Sequence, residues 1–161
     1  MLVPPWLGRT GFDEFVFPYD QAVNAAIHRI GGKHRSHSHG RCGAFLERFV
    51  EMGIDGVEPL EPEPYGDNDL ADIKRRVGRQ LVLSGNILSQ DYLRMSVAQV
   101  REAVRGAIRI GAPGGGFILR CAEGTGGMGT VKSMEQLRAV LPRVEAYIDA
   151  ALEFGRYPIS C

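Results

Sequence analysis

The sequence predicts an α/β fold in which parallel strands alternate with helices, and three observations carry that expectation. A strand-like run, a loop and a helix-like segment recur four times in order. The helices are bounded by recognisable chemistry: Ser96 with Gln99 and Ser133 with Gln136 have capping-box spacing, and Gly53, Gly78, Gly111 and Gly155 stand at helix ends. The strand bodies after the first are apolar while their carboxyl ends are polar, as expected of strands covered by helices.

A helical segment over about 13–30, interrupted at Pro18, comes first. The first strand spans 33–39 and its helix 44–52. The second strand spans 54–59. An acidic, proline-rich loop follows it, then a helix over 70–77 with Asp67 or Asn68 as N-cap. The third strand spans 81–86 and its helix runs from Ser96 to Gly111. The fourth strand spans 116–121 and leads into a glycine-rich loop, 124–129, with the role of a substrate cover. The last helix runs from Ser133 to about Gly155, and Pro142 is expected to kink or break it. Four such units make a small open α/β domain or half of a (β/α)8 barrel, which needs about 250 residues. No interdomain linker interrupts residues 1–161, so a single domain is expected.

The composition narrows the function classes. Lys and Arg number 19 against 19 Asp and Glu, which gives no general reason for nucleic acid or an anionic membrane as partner. The longest apolar runs fall short of the ~18 residues of a membrane span, and no signal peptide is evident at Met1. Cys42, Cys121 and Cys161 are odd in number and far apart, which suits a reducing cytoplasm rather than a disulfide framework.

The first strand is the anomaly. Its slot calls for Val, Ile and Leu, yet Lys33-His34-Arg35-Ser36-His37-Ser38-His39-Gly40 is basic and polar and holds three of the four histidines. Alternation puts His37, His39 and Arg35 on one face. Chemistry in parallel α/β folds sits at the carboxyl ends of strands. Those ends carry His37 and His39, then Glu58, then Asn86, then Arg120, Cys121 and Glu123. His37, His39 and Cys121 form a candidate Zn²⁺ set that leaves one position open for a small-molecule substrate. A hydrogen-bonded histidine pair without metal is the alternative. Cys42 fits a packed thiol better than a ligand. His28, on a helix, and His34, on the opposite strand face, fit structural roles. Arg35 fits a substrate carboxylate or an internal ion pair to Glu58 or Asp55. Glu58 is the candidate general acid or base, with Glu61 as an alternative or a partner for the histidines. Asn86 and Glu123 are candidate substrate contacts.

Several segments together resemble the uroporphyrinogen decarboxylase superfamily. They are 12–19, His37-Ser38-His39-Gly40, 49–60, Leu83-Ser84-Gly85-Asn86-Ile87 and 113–119. The resemblance implies a (β/α)8 barrel, of which this chain matches the C-terminal half: four parallel β/α units plus a preceding helix. It implies either metal-assisted methyl transfer involving a corrinoid or thiol substrate, or uroporphyrinogen decarboxylation in porphyrin synthesis. A half barrel that is inactive until it pairs with a copy of itself or with an N-terminal half is the third expectation. Leu88-Ser89 replaces the Asp-Pro usual after Gly-Asn in the decarboxylases, and Cys121-Ala122-Glu123-Gly124 replaces their Gly-His-Gly. In the zinc- and corrinoid-dependent methyltransferases a His-x-Cys and a later Cys hold the metal. His37 matches that His, His39 stands at the first Cys position, and Cys121 lies close to the second. The resemblance therefore favours the methyltransferase-like branch, with Zn as cofactor and a corrinoid protein as partner.

Overall fold

A computed structural model describes residues 3, 6–122 and 131–159. Helices α1 (Arg9–Phe15) and α2 (Phe17–Arg29) precede the sheet. The helical segment expected over 13–30 thus starts earlier and breaks at Val16, one residue before the Phe17-Pro18 start of α2. Pro18 sits in the first turn, where a missing N–H costs nothing.

The four expected strands are present as β1 (Arg35–His37), β2 (Gly56–Leu60), β3 (Val82–Leu88) and β4 (Phe117–Ala122). They form one sheet in the order β1-β2-β3-β4, every pair parallel. Helices α3 (Leu46–Glu51), α4 (Leu70–Val77), α5 (Ser89–Arg94), α6 (Val97–Gly111) and α7 (Met134–Phe154) return the chain between strands or follow β4. Pro59 lies in β2 and has no N–H for a ladder, and the β2–β3 register shifts between Val57 and Leu60.

Three local expectations change. Asp69, not Asp67 or Asn68, caps α4 by accepting from the Asp72 N–H. Asp67 accepts the Gly43 N–H instead, and Asn68 is buried with bonds to the Glu61 carbonyl and the Cys42 thiol. Pro142 lies inside an uninterrupted 21-residue α7, because one lost backbone bond is outweighed by the packing of Ala146 and Ala150 into the core and of α7 along α6. The six-residue α5 was not anticipated. The capping box of α6 forms, with Ser96 Oγ accepting from Gln99 N and Gln99 Oε1 from Ser96 N.

The core lies between the sheet and the helices. Val57 and Leu83 are fully buried there, with Phe117, Leu119 and Cys121 packed against the same cluster. Phe12, Phe45 and Phe49 join it, with ring centroids 5.0 Å and 6.0 Å from Phe12. Truncating a buried Phe of this kind costs about 3–5 kcal/mol. The other face of the sheet is open and carries Arg35, Gly56, Val82, Glu58, Ile118 and Arg120. A Cβ on Gly56 would touch Val82 and Arg35, and Glu58 pairs with both arginines. Val82 and Ile118 on this face are 37% and 44% exposed.

Candidate functional site

The carboxyl end of β1 meets the carboxyl end of β2. Register pairs His37 with Glu58, and the chain beyond β1 runs beside the chain beyond β2. His37 Nδ1 lies 3.3 Å from Glu58 Oε1, and His39 Nδ1 lies 3.0 Å from Glu61 Oε1. The two Nε2 atoms face each other at 2.8 Å. Both imidazoles are about half exposed, at 51% and 49%, whereas both carboxylate side chains are 9% exposed.

Counting protons shows what this arrangement demands. Carboxylates accept only, so each Nδ1 must donate. Glu61 Oε2 already accepts the Gly40 N–H at 2.9 Å, and Glu58 Oε2 holds Arg35 Nη1 at 3.1 Å and Arg120 Nη1. A neutral imidazole that donates through Nδ1 has a bare lone pair on Nε2. Two bare lone pairs at 2.8 Å repel, so the pair needs a shared proton or a cation. Burial pushes the Glu58 carboxyl up, but the hydrogen bonds from Arg120 and His37 and the charges of Arg120 and Arg35 outweigh it and hold the group below its ordinary value of 4.5.

The Nδ1 contacts are the kind of support metal-binding histidines use: a carboxylate on the far nitrogen fixes ring and tautomer and aims Nε2 outward. The donor chemistry of the pair therefore fits a zinc-type ion. Cys121 does not join it. It packs with Phe117 and Leu119 toward the helix layer, while its neighbour Arg120 reaches Glu58 on the open face. Among the described residues no group of three or more His, Cys, Asp or Glu is placed to hold a metal. Cys42 is fully buried, its Sγ 3.4 Å from Asn68 Oδ1, and burial pushes its thiol up to about 12, so it is a packed thiol.

Arg35 takes the internal-pair option, on Glu58. Asn86 is placed apart from the histidines, lining a cleft of about 380 Å³ between α4, α5 and α6 with Leu70, Asp91, Met95 and Ala107. Glu123 and the loop 124–129 lie outside the described residues. Glu61 takes the role of partner to a histidine, on His39, whereas Glu63 is exposed. One contributor had little sequence signal. Arg120 sat among strand-end residues with nothing to single it out.

A family model described as uroporphyrinogen decarboxylase (URO-D) matches residues 4–147. The chain is also similar to a solved methyltransferase from Methanosarcina mazei, at 18% identity and a TM-score of 0.61, over 89% of this chain. The chain spans 39% of that protein's length, and at this identity the likeness establishes the fold. No match was found among the curated proteins. Among the described residues no helix is long and apolar enough to cross a membrane.

Proposed function

Since the chain belongs to the uroporphyrinogen decarboxylase family, we propose that it supplies the metal-binding rim of a methyl-transfer barrel acting on a thiol or corrinoid-borne methyl group. The observation that carries this reading is the convergence of His37 and His39 Nε2 with both Nδ1 atoms backed by buried carboxylates. His37 and His39 would hold a zinc ion, and Cys121 would not. The ion's contribution, when bound, is to hold a substrate thiol as the thiolate.

The chain's own residues do the rest. Glu58 and Glu61 fix the two rings and keep their Nδ1 protons in place. Arg35 and Arg120 keep Glu58 ionised, so it continues to accept from His37. A four-stranded half barrel leaves two sheet edges for further strands, and a second half, from another copy or from an N-terminal half, would supply the remaining donors and the corrinoid-protein contact.

Zinc titration of the metal-free chain tests the reading. Wild type and Cys121→Ser should bind zinc equally, and the double variant His37→Ala/His39→Ala should not bind it. Equal zinc uptake by wild type and the double histidine variant would overturn the proposal. Production of coproporphyrinogen from uroporphyrinogen would favour the decarboxylase reading instead.

A further inference from the structure

We propose that a cleft at the amino end of the strands, between the end of α4 and the turn before β4, binds a phosphate-bearing small molecule through Lys74 and Arg79. The inference goes beyond the function proposed above. This cleft lies at the opposite end of the strands from His37 and His39, and its lining includes neither of them.

The topology builds the cleft. α4 ends at Val77, and residues 78–81 lead into the amino end of β3; α6 ends at Gly111, and residues 112–116 lead into the amino end of β4. Leu83 N donates to the Gly116 carbonyl at 2.9 Å, which holds the two connections side by side. The cleft between them measures about 780 Å³, and Lys74, Arg75, Arg79, Gln80, Pro113 and Gly114 line it. Small-molecule sites occupy roughly 300–1,000 Å³. Gly114, Gly115 and Gly116 have φ of 77°, 78° and 68°, and a Cβ on Gly114 or Gly115 would meet nothing within 4 Å. That wall is bare backbone with open space over it.

The cations on the other wall are not equivalent. Three of them line the cleft, Lys74, Arg75 and Arg79, and no Asp or Glu does. Asp72 takes Arg75 on Oδ1 and Arg76 on Oδ2, and Glu47 also holds Arg76. Cations in the last turn of a helix complement its dipole, and Arg75 and Arg76 account for that role. Lys74 and Arg79 remain. Lys74 donates to the Gly115 carbonyl, a neutral acceptor, and has no carboxylate partner among the described residues. Burial lowers its pKa, because nothing offsets the desolvation of the ammonium. Arg79 is exposed just past the end of α4 and has no ion pair among the described residues.

A phosphate group suits this pair. It carries close to two negative charges and three acceptor oxygens, so it can take an ammonium and a guanidinium together. The Gln80 amide stands beside them as a further donor. The anion would also offset the desolvation of Lys74. A phosphate fills only a small part of the cleft, and the body of the ligand would lie over Pro113 and the glycine wall. The cations sit in a cleft rather than along a stripe, and the chain as a whole balances 19 Lys and Arg against 19 Asp and Glu. Both facts favour a small phosphate ester over a polynucleotide.

The test titrates inorganic phosphate, then phenyl phosphate, into the metal-free chain at constant ionic strength, by calorimetry and by NMR of the arginine Nε–Hε resonances. Inorganic phosphate should bind saturably and move the Arg79 signal. Phenyl phosphate should bind more tightly, because its ring adds contact with Pro113. Lys74→Gln and Arg79→Gln should each weaken phosphate binding about tenfold, the effect of one hydrogen bond between charged groups. Arg79 is exposed, so Arg79→Gln keeps the fold and remains a fair test if Lys74→Gln does not. Arg101→Gln, which removes a guanidinium held by Glu153, should bind phosphate as wild type does, and so should His37→Ala/His39→Ala. Binding that never saturates, an Arg79→Gln chain equal to wild type, or loss of binding in the double histidine variant would overturn the proposal. Phenyl phosphate that binds no tighter than inorganic phosphate would overturn it as a small-molecule site. Tighter binding of a single-stranded oligonucleotide, lost in Arg79→Gln, would assign the face to nucleic acid instead.

Discussion

The four histidines fall into two pairs at opposite ends of the same two strands, and the pairs differ in hydrogen-bond arithmetic. At the amino end, His28 Nε2 meets Asp55 Oδ2 at 2.8 Å and His34 Nδ1 meets Asn24 Oδ1. Asp55 also takes Lys33 Nζ at 2.8 Å and the His34 N–H at 2.9 Å, and Asn24 donates to the Met52 carbonyl. Each of these rings has its own acceptor. At the carboxyl end the acceptors are used on Nδ1 and the two Nε2 atoms face each other at 2.8 Å. One pair ties α2 to the start of β2, and the other is an arrangement that wants a cation. Residue type alone does not distinguish them; the position of the partner does.

The contrast can be broken by exchanging the damage. The His37→Ala/His39→Ala chain should lose zinc entirely and lose less stability than the amino-end variants, because both rings are about half exposed. Circular dichroism melts alongside zinc titration check both halves. His28→Ala/His34→Ala should do the reverse, binding zinc normally and melting lower. Asp55→Ala should be the costliest change at the amino end, lowering stability by about 2–3 kcal/mol in denaturant titrations, because three donors lose one acceptor at once. Unaltered stability in that variant would remove the structural role assigned to the amino-end pair.

Smaller changes sharpen the comparison. Glu61→Gln keeps the shape of the His39 support but removes its charge, and should weaken zinc binding about 10–100-fold with little effect on folding. An affinity equal to wild type would mean that Glu61 does not orient His39. Acid provides the last lever. Burial raises the Asp55 carboxyl, but the Lys33, His34 and His28 contacts outweigh it and hold it well below its ordinary value of 3.8. The unfolded chain then binds the proton more readily than the folded one, so acid favours unfolding. The Asp55 contribution is complete above about pH 4 and drains away as the pH falls further. Melting curves from pH 5 to pH 2 should show a steeper acid loss in wild type than in Asp55→Asn, and parallel curves would contradict the assignment.

Much of this was legible from residue patterns, for identifiable reasons. The four β/α units could be read because glycine stops, capping boxes and apolar runs are local signals, and the structure keeps them. The polar first strand pointed to its own rim because alternation alone puts Arg35 and His37 on one face. The placement of Cys121 was not legible. Alternation groups it with Phe117 and Leu119 but does not say which set faces inward. In the structure all three pack toward the helices, and Arg120 takes the open face. Glu61 was legible as a possible histidine partner from its place after the second strand, but its pairing with His39 and the Gly40 N–H is a long-range contact without a periodic signature.

The protonation of the carboxyl-end pair decides whether it takes a cation, and long-range ¹H–¹⁵N correlation spectra of the histidine rings read it directly. In the metal-free chain both His37 and His39 should carry a proton on Nδ1, with at most one proton shared between their Nε2 atoms, and zinc should shift both Nε2 resonances while leaving both Nδ1 protons in place. A spectrum in which either ring is the Nε2-protonated tautomer with a bare Nδ1, or in which zinc leaves both Nε2 resonances unmoved, would contradict it.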